Sequence, residues 1–155
     1  MRIAIIGNSG SGKSTLAKQF AAPVLDLDTV YWEQGKIAVP RNAGESAEEV
    51  RTFCRANEDW VIEGCYASLI AVALEFTPEL ILLDPGVGAC IRNCEARPWE
   101  PHKYATKEEQ DKHLAFLLAW VRAYYTRDGE LSLQGHTAIY NSYPGPKRRI
   151  VELAS

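Results

Sequence analysis

One short segment constrains this chain more than any other, because its glycine spacing dictates how the backbone must turn. Residues 7–15 read Gly-Asn-Ser-Gly-Ser-Gly-Lys-Ser-Thr and fill the pattern G-x-x-x-x-G-K-[ST]. The run before it, residues 2–6, is rich in isoleucine and typical of a buried strand, and good helix formers follow from Lys13 to about Phe20. A strand, a glycine loop and a helix in this order indicate a loop that curls its amide groups around an anion. The segment therefore predicts a phosphate-binding loop.

The residue types in this phosphate loop each suit the binding of a nucleoside triphosphate. Glycine allows the backbone to curl with its N–H groups turned inward. Lys13 supplies positive charge to the β- and γ-phosphates, and Ser14 supplies a hydroxyl for Mg²⁺. The helix that follows presents its N-terminal dipole to the same phosphates. We therefore expect ATP and Mg²⁺ to be bound, with nucleotide contacts from Gly7, Asn8, Ser9, Gly10, Ser11, Gly12, Lys13, Ser14 and Thr15.

The composition is that of one ordinary globular domain. Of the 155 residues, 46% are hydrophobic and 24% are charged, which suffices for a core. The net charge of −3, with 17 Lys and Arg against 20 Asp and Glu, argues against a nucleic-acid partner. No apolar run approaches the about 20 residues that cross a bilayer, and the 4 cysteines are too sparse for a disulfide scaffold. We expect a single cytoplasmic domain over 1–155, without a membrane partner, as a monomer or a homodimer.

Short apolar runs alternate with helical patterns along the whole chain. Residues that favour helix follow most of the predicted strands, and Pro98 and Pro101 interrupt the chain before a further helix opens at Thr106. Strands alternating with helices indicate an α/β fold, with a parallel sheet covered by helices on both faces and right-handed crossovers. The predicted strands are residues 2–6, 24–28, 60–63, 80–83 and 137–140, and the helices after the first are 46–57, 66–76, 88–97 and the run from Thr106.

Carboxylates follow two of the predicted strands. Asp26 and Asp28 lie at the end of the second strand, and Glu63 ends the third. The carboxyl ends of parallel strands form the edge at which open α/β sheets bind ligands. There Asp26 and Asp28 could orient an acceptor hydroxyl or hold Mg²⁺ through water, and Glu63 could bind Mg²⁺ through water or act as a base. The alternatives are a solvated strand end or a helix cap, and the choice of base between Asp28 and Glu63 stays open.

Four segments, taken in order, resemble the nucleoside-monophosphate and shikimate-kinase-like group of P-loop kinases. Within that group they are most similar to the "topology modulation" branch related to adenylate kinase. The segments are residues 7–15, Asp26-Leu-Asp28, Trp60-Val-Ile-Glu-Gly-Cys-Tyr66 and Leu82-Leu-Asp-Pro-x-x-x-x-Cys90-x-Arg-x-x-x-x-Arg97. The resemblance covers nearly the whole chain. It implies a three-layer fold whose five-stranded parallel sheet has the order 2-3-1-4-5, with a short lid at about 98–106, here called the lid segment.

The resemblance also implies roles for individual residues. Asp28 would contact the acceptor and take its proton, while Arg92 and Arg97 would neutralise charge on the transferring phosphoryl group. The chain after the last strand would wrap the adenine, with Pro144 and Gly145 in contact with it. The stretch expected to bind the acceptor contains Tyr31, Trp32, Lys36 and Arg41.

These features predict ATP- and Mg²⁺-dependent phosphoryl transfer to a small hydroxyl- or phosphate-bearing molecule. The chain after Glu63 has neither the glycine triplet of shikimate kinases nor the Asp-Gly-x-Pro-Arg of adenylate kinases, so the acceptor stays open. No Asn-Lys-x-Asp occurs to read guanine, which argues against a regulatory GTPase. Two alternatives stand beside the kinase. One is a non-catalytic nucleotide switch acting on a protein or DNA partner, supported only by the basic run 147–149, and the other is a slow ATPase without an acceptor.

Overall fold

The isoleucine-rich run at the start of the chain forms the central strand of a parallel sheet. β1 (Arg2–Gly7) pairs with β3 (Trp60–Gly64) on one side and with β4 (Glu79–Leu83) on the other. The edge strands are β2 (Val24–Asp26), beside β3, and β5 (Lys147–Ile150), beside β4. All four pairings are parallel. The order β2-β3-β1-β4-β5 confirms the predicted topology.

Helices connect the strands and cover both faces of this sheet. The computed structural model describes residues 1–36 and 38–152, and within them it contains seven α-helices. In chain order these are α1 (Lys13–Ala17), α2 (Asp28–Tyr31), α3 (Ala43–Ala56), α4 (Ala67–Leu74), α5 (Val87–Glu95), α6 (Lys107–Ala123) and α7 (Leu133–Ser142). In that part of the chain no helix is both long enough and apolar enough to span a membrane.

The side chains of β1 alternate between two hydrophobic cores, one on each face of the sheet. Ala4 and Ile6 pack into the larger core, which also contains residues of α2, α3 and α4. Ile3 and Ile5 pack with Ala17 of α1 in the smaller core. Burial of every residue from Ile3 onward is expected for a parallel strand that is covered on both faces. The rigid centre of the sheet therefore leads directly into the phosphate loop.

The last strand does not lie where the sequence predicted it. Residues 137–140 belong to α7, whose N-cap Ser132 accepts a hydrogen bond from the backbone N–H of Gly135. An apolar run of this length does not distinguish a strand from one face of a helix. The fifth strand is Lys147–Ile150 instead. Its first three residues are basic and exposed, as an edge strand permits, and for that reason they gave no hydrophobic signal.

β2 is shorter than predicted, because the chain turns immediately after it. The predicted strand 24–28 ends at Asp26, and α2 begins at Asp28. The Asp26 Oδ1 atom accepts the backbone N–H of Asp28 at 2.9 Å, which is an Asx turn. Leu27 between them is fully buried. Asp26 and Asp28 therefore reach the same edge of the sheet from a strand end and a helix start, not from one face of a strand.

The predicted start of α3 is wrong, and the predicted start of α6 is confirmed. α3 begins before the predicted helix 46–57, because Asn42 caps it by accepting the backbone N–H of Glu45. Ser46 is buried inside that helix. At the start of α6, by contrast, Thr106 accepts the backbone N–H of Glu109 at 3.1 Å, as predicted.

A buried histidine joins α7 to the end of α6 and to the chain after β3. The Nδ1 atom of His136 lies 2.8 Å from the Tyr124 hydroxyl oxygen, and its Nε2 atom lies 2.7 Å from the carbonyl oxygen of Cys65. A carbonyl can only accept, so Nε2 carries the proton and Nδ1 accepts from Tyr124. Burial lowers the pKa of His136 to about 4. The histidine is therefore neutral in the folded protein at neutral pH.

This histidine makes the stability depend on pH. The pKa of His136 falls from 6.5 to about 4 on folding, so the unfolded chain binds the proton first as the pH falls. The contribution of neutral His136 to the free energy of unfolding is fully present above pH 6.5. It falls by about 3 kcal/mol as the pH is lowered from 6.5 to 4. We predict that wild type is more stable than His136→Gln at pH 7, and that this difference shrinks by about 2–3 kcal/mol at pH 4.5.

The measurement is urea unfolding of both proteins at a series of pH values. The effect of His136 is taken from the difference in unfolding free energy between the two proteins, because Glu63 also makes the stability depend on pH. Burial raises the pKa of Glu63 from 4.5 to about 7, which favours the folded state as the pH falls through the same range. Glu63 is present in both proteins, so its effect cancels. A stability difference that is constant from pH 7 to pH 4.5 would contradict the prediction.

Candidate functional site

The phosphate loop turns at the carboxyl end of β1 through two glycines in left-handed conformations. Gly10 has a φ of 78° and Gly12, the N-cap of α1, a φ of 95°. The carbonyl oxygen of Asn8 accepts from the Ser11 backbone N–H at 3.1 Å and from the Lys13 ammonium at 2.6 Å. Residues with a Cβ are strained at such positive φ values. The glycines of the motif are thus required where the chain reverses, as the pattern predicted.

Helices α5 and α6 hold the loop from behind. A Cβ atom on Gly10 would lie 2.3 Å from the carbonyl oxygen of Cys90, so the loop backbone rests directly on α5. The side-chain amide of Asn93 donates to the carbonyl of Gly10 at 2.7 Å. The buried side-chain amide of Asn8 donates to the carbonyl of Val121 on α6 at 3.1 Å. The loop is therefore fixed by backbone contacts before any ligand binds.

In front of the loop lies a cleft with a volume of 730 Å³, within the range of about 300–1,000 Å³ typical of small-molecule sites. Most of the predicted nucleotide-binding positions line it: Ser9, Gly10, Gly12, Lys13, Ser14 and Thr15. Gly7, Asn8 and Ser11 are buried and do not line it. In the part of the chain that the structure describes, the buried Ser11 hydroxyl has no hydrogen-bond partner. The strand-end carboxylates Asp26, Asp28 and Glu63 line the cleft as well.

Glu63 and Ser14 form the pair of oxygens that the sequence assigned to Mg²⁺. The Ser14 hydroxyl donates to Glu63 Oε1 at 3.1 Å, and Glu63 is 4% exposed. Burial raises the pKa of Glu63 to about 7, although the positive charge of Lys13 opposes this shift. A hydroxyl and a carboxylate suit Mg²⁺, which is commonly held by one or two protein oxygens together with phosphate oxygens and water. Within residues 1–36 and 38–152, no group of three or more His, Cys, Asp or Glu side chains could hold a metal ion.

Asp28 is held by an aromatic cluster that the sequence analysis did not predict. Its Oδ1 atom accepts from the Tyr66 hydroxyl at 2.5 Å, and that hydroxyl accepts from Trp32 Nε1 at 2.7 Å. The ring of Tyr31 stacks on the ring of Tyr66 at a centroid distance of 4.1 Å. Tyr31 and Trp32 were expected to bind the acceptor, but they do not line the cleft. The signal for Tyr66 was its place just after Glu63 and Gly64, at the end of β3.

The two predicted arginines lie in different places. Arg97, just after α5, lines the cleft. Arg92 lies on α5 and lines an adjoining hollow of 420 Å³, which shares Asn93 and Glu152 with the cleft. Arg41, expected near the acceptor, instead pairs with Glu49 at 2.5 Å and does not line the cleft. The structure thus brings Arg97, but not Arg92 or Arg41, to the phosphate loop.

The lid segment is attached to the first turn of α6. Gln110 accepts the backbone N–H of Glu100 at 2.8 Å and donates to the carbonyl of Pro98 at 3.0 Å. Lys103 lies with its Nζ atom 3.5 Å from Asp28 Oδ2. Pro98, Glu100 and Lys103 all line the cleft. Residues 98–106 therefore lie over the strand-end carboxylates.

The position predicted for Pro144 and Gly145 is wrong, because the strand they were expected to follow is a helix. They precede β5, and the carbonyl of Pro146 accepts the backbone N–H of Leu80 at the start of β4. The phosphate loop lies at the opposite, carboxyl edge of the sheet. At that edge Ile150, the last residue of β5, lines the cleft.

Comparison with known proteins shows the fold. No protein-family model matches this chain, and no curated protein matches it. Among solved structures, a shikimate kinase from Bacteroides thetaiotaomicron matches with a TM-score of 0.55 and 15% identity, over 100% of this chain and 89% of that one. TT1252 from Thermus thermophilus matches with a TM-score of 0.56 and 16% identity, over 100% and 89%. A deoxyadenosine kinase from M. mycoides with bound dATP matches with a TM-score of 0.50 and 12% identity, over 99% and 93%.

These matches span nearly the whole chain, and two of the three proteins are named as kinases. The identities are low, so the comparison establishes architecture and not activity. The chain therefore has the fold of the P-loop kinases.

The importance of the contact between the phosphate loop and α5 can be tested by substituting Gly10. Gly10→Ala would combine a positive φ with a Cβ placed 2.3 Å from the Cys90 carbonyl, and we predict a loss of about 2–5 kcal/mol in the free energy of unfolding. Gly129 also has a positive φ, 92°, but nothing lies within 4 Å of its Cβ position. Gly129→Ala is the matched control, with an expected loss of about 1–2 kcal/mol. Equal losses in urea unfolding would show that the close contact does not matter.

Proposed function

We propose that this protein is an ATP- and Mg²⁺-dependent kinase that transfers a phosphoryl group to a hydroxyl of a small molecule. The observation that supports this most is the convergence on one cleft of the phosphate loop, the Ser14–Glu63 pair and Asp28. Each group suits a different part of the reaction, and they come from α1, β3 and α2. The kinases that share this fold are consistent with the proposal.

The phosphate loop and the oxygens beside it would hold the nucleotide. Loop amides and Lys13 bind the phosphates, since charge-assisted hydrogen bonds to phosphate are stronger than neutral ones. Ser14 and Glu63 would hold Mg²⁺, which when bound neutralises charge on the β- and γ-phosphate oxygens. Glu63 is buried and close to Lys13, so the site already contains a positive charge that favours its ionised form. These residues would position the γ-phosphoryl group for attack.

Asp28 would act on the acceptor. Its Oδ2 atom takes the proton of the acceptor hydroxyl as that oxygen forms a bond to the γ-phosphorus. The bond from the γ-phosphorus to the β–γ bridging oxygen breaks, and ADP leaves with that oxygen. Arg97 lines the same cleft and would stabilise the charge that develops on the transferred group. Arg92 lies outside the cleft and has no part in this proposal.

The alternative of a non-catalytic nucleotide switch acting on a protein or DNA partner was based on the basic run 147–149, whose charges are paired within this chain. The basic run lies in β5, where Arg148 pairs with Glu79 at 3.0 Å and Arg149 pairs with Asp84 at 2.6 Å. Lys147 donates to the carbonyl of Tyr140 at 2.8 Å. These charges stabilise the edge of the sheet. A slow ATPase without an acceptor would make no use of Asp28, which lines the cleft beside the lid segment.

Nucleotide binding can be tested without knowing the acceptor. We predict that Lys13→Ala weakens binding of a non-hydrolysable ATP analogue with Mg²⁺ by about 10- to 100-fold, because it removes a charged hydrogen-bond donor to phosphate. Lys107→Ala is the control, since Lys107 pairs with Asp111 on the exposed surface of α6. Isothermal titration calorimetry measures both affinities. Equal affinities for wild type and Lys13→Ala would contradict the role of Lys13.

A substitution at Asp28 distinguishes nucleotide binding from phosphoryl transfer. We predict that Asp28→Asn lowers acceptor-dependent ADP release by about 10²- to 10⁴-fold, because it removes the group that accepts the proton. Its affinity for the ATP analogue should stay close to that of wild type. Asp111→Asn, on the exposed surface of α6, is the matched control. If Asp28→Asn loses nucleotide affinity as strongly as turnover, Asp28 serves the metal or the fold and not the acceptor.

A further inference from the structure

Beyond the phosphate loop, five carboxylates line the cleft against three cations, Lys18, Arg97 and Lys103. Asp26 and Asp28 come from β2 and α2, Glu63 from β3 and Glu100 from the lid segment, and the fifth carboxylate is Glu152. Burial raises the pKa of Asp26, and the neighbouring charge of Asp28 raises it further. A further negative charge brought next to these carboxylates is disfavoured by like-charge repulsion.

The lid cation nearest these carboxylates is already paired. The Nζ atom of Lys103 lies 3.5 Å from Asp28 Oδ2 and 3.5 Å from Glu100 Oε2. Burial lowers the pKa of Lys103, but the negative charges of Asp28, Glu100 and Asp26 raise it above its ordinary value. Its positive charge is thus used to balance the carboxylates around it. An anionic acceptor would have to compete with them for this lysine.

Arg97 also lines the cleft, where the proposed function assigns it to the transferred phosphoryl group, whereas Arg41 and Arg127 are turned elsewhere. Arg41 donates to Glu49 and to the carbonyl of Val30. Arg127 donates to the carbonyl of Leu131, and its guanidinium lies 3.6 Å from the centre of the Trp120 ring. Neither arginine lines the cleft. A phosphate or carboxylate is recognised most strongly by a bidentate arginine, and these two arginines are not available for that purpose.

Asp28 has one oxygen fixed and the other directed toward the lid. Tyr66 donates to Oδ1 and is itself held by Trp32, so the carboxylate cannot rotate freely. Burial raises the pKa of Tyr66 well above its ordinary value, which keeps the phenol protonated and able to donate. Among residues 1–36 and 38–152, the hydrogen-bond partner of Oδ2 is Lys103 alone, at the long distance of 3.5 Å. A hydroxyl donor suits this oxygen, and an anionic group does not.

We propose that the phosphoryl acceptor is an uncharged polyhydroxyl compound of the size of a sugar or a nucleoside, with one hydroxyl donating to Asp28 Oδ2. Compounds of the same skeleton that carry a phosphate or a carboxylate are rejected by the surrounding carboxylates. This inference rests on the proposed kinase function and specifies its substrate class. The products are ADP and a phosphate monoester, and the hydroxyl proton passes to Asp28 and then to solvent.

Matched pairs of acceptors test this directly. The probes are nucleosides, pentoses, hexoses and cyclic polyols, each beside its phosphorylated or carboxylated analogue, at equal concentration with ATP and Mg²⁺. We expect at least one neutral compound to raise ADP release about 10-fold or more above the rate without acceptor, and its anionic analogue to be at least about 10-fold poorer. Anionic compounds that are turned over as well as or better than their neutral analogues overturn the inference. So does a panel in which no neutral compound raises ADP release.

Nucleotide binding distinguishes failure of this inference from failure of the proposed function. Calorimetry with the non-hydrolysable ATP analogue and Mg²⁺ is run on the same protein preparation. If the analogue binds and the acceptor preference is reversed or absent, the substrate class is wrong and the nucleotide site stands. If the analogue does not bind, the kinase proposal itself fails, and the acceptor inference fails with it.

A charge-neutralising variant tests the cause of the preference. Glu100→Gln releases Lys103 from one of its two carboxylate partners, and we expect the ratio of neutral to anionic turnover to fall about three- to tenfold. Glu108→Gln, in the exposed first turn of α6, is the matched control and should leave the ratio unchanged. An unchanged ratio in Glu100→Gln would show that the lid carboxylate does not exclude anions. Thermal unfolding of both variants confirms that they are folded.

Tyr66→Phe tests the support of Asp28 by a change that keeps the aromatic ring. Tyr66 acts through Asp28, so it is a positioning residue. With the neutral compound found in the panel, we expect kcat to fall about 10-fold while the affinity for the ATP analogue stays unchanged. A fall in stability without a change in kcat would show that the hydroxyl is only structural.

Discussion

The close approach of the phosphate loop to α5 is the contact on which the rest of the cleft depends. Gly10 has no side chain, and the space that a Cβ would need is filled by the Cys90 carbonyl. Asn93 then bonds the carbonyl of Gly10 from the same helix. A curled loop with positive φ values has few internal hydrogen bonds of its own, so neighbouring backbone must hold it. Here α5 supplies that support, and the loop can present its amides to the cleft.

The parallel sheet brings the remaining groups to this loop. β2 and β3 end at the same edge as β1, so Asp26 and Glu63 reach the cleft from neighbouring strands. Glu63 and Tyr66 lie on one continuous stretch of chain, and Tyr66 holds Asp28. The carboxylate next to Ser14 and the carboxylate next to the lid segment are therefore positioned by the same few residues. In the proposed function, this arrangement separates the residues that would hold Mg²⁺ from the residue that would act on the acceptor.

Much of this arrangement could be predicted from the sequence, because local patterns determined it. The glycine spacing of residues 7–15 and the strand before them identified the loop, and the apolar runs ending in Asp26 and Glu63 placed carboxylates at the correct edge. The fifth strand was missed because Lys147–Ile150 is an edge strand whose basic residues face solvent. That error also misplaced Pro144. Local periodicity carries no information about which edge of a sheet a segment joins.

Contacts between segments that are distant along the chain could not be predicted from the sequence, for a different reason. Tyr66 and Asp28 are far apart along the chain, and only the fold places the start of α2 beside the residue that precedes α4. Arg92 and Arg97 are close in sequence, yet only Arg97 lines the cleft. Arg92 lies on α5 and Arg97 follows its end, so the direction of each side chain depends on where the helix ends and how it packs.

Helix α6 touches both sides of the cleft, and this has a mechanical consequence. Near its start, Gln110 holds the backbone of the lid segment at Pro98 and Glu100. Near its end, the carbonyl of Val121 receives the side chain of Asn8 from the phosphate loop. The lid segment and the phosphate loop are thus both attached to one helix of 17 residues. A tilt of α6 would displace the lid segment and the phosphate loop together, so movement of one would be coupled to movement of the other.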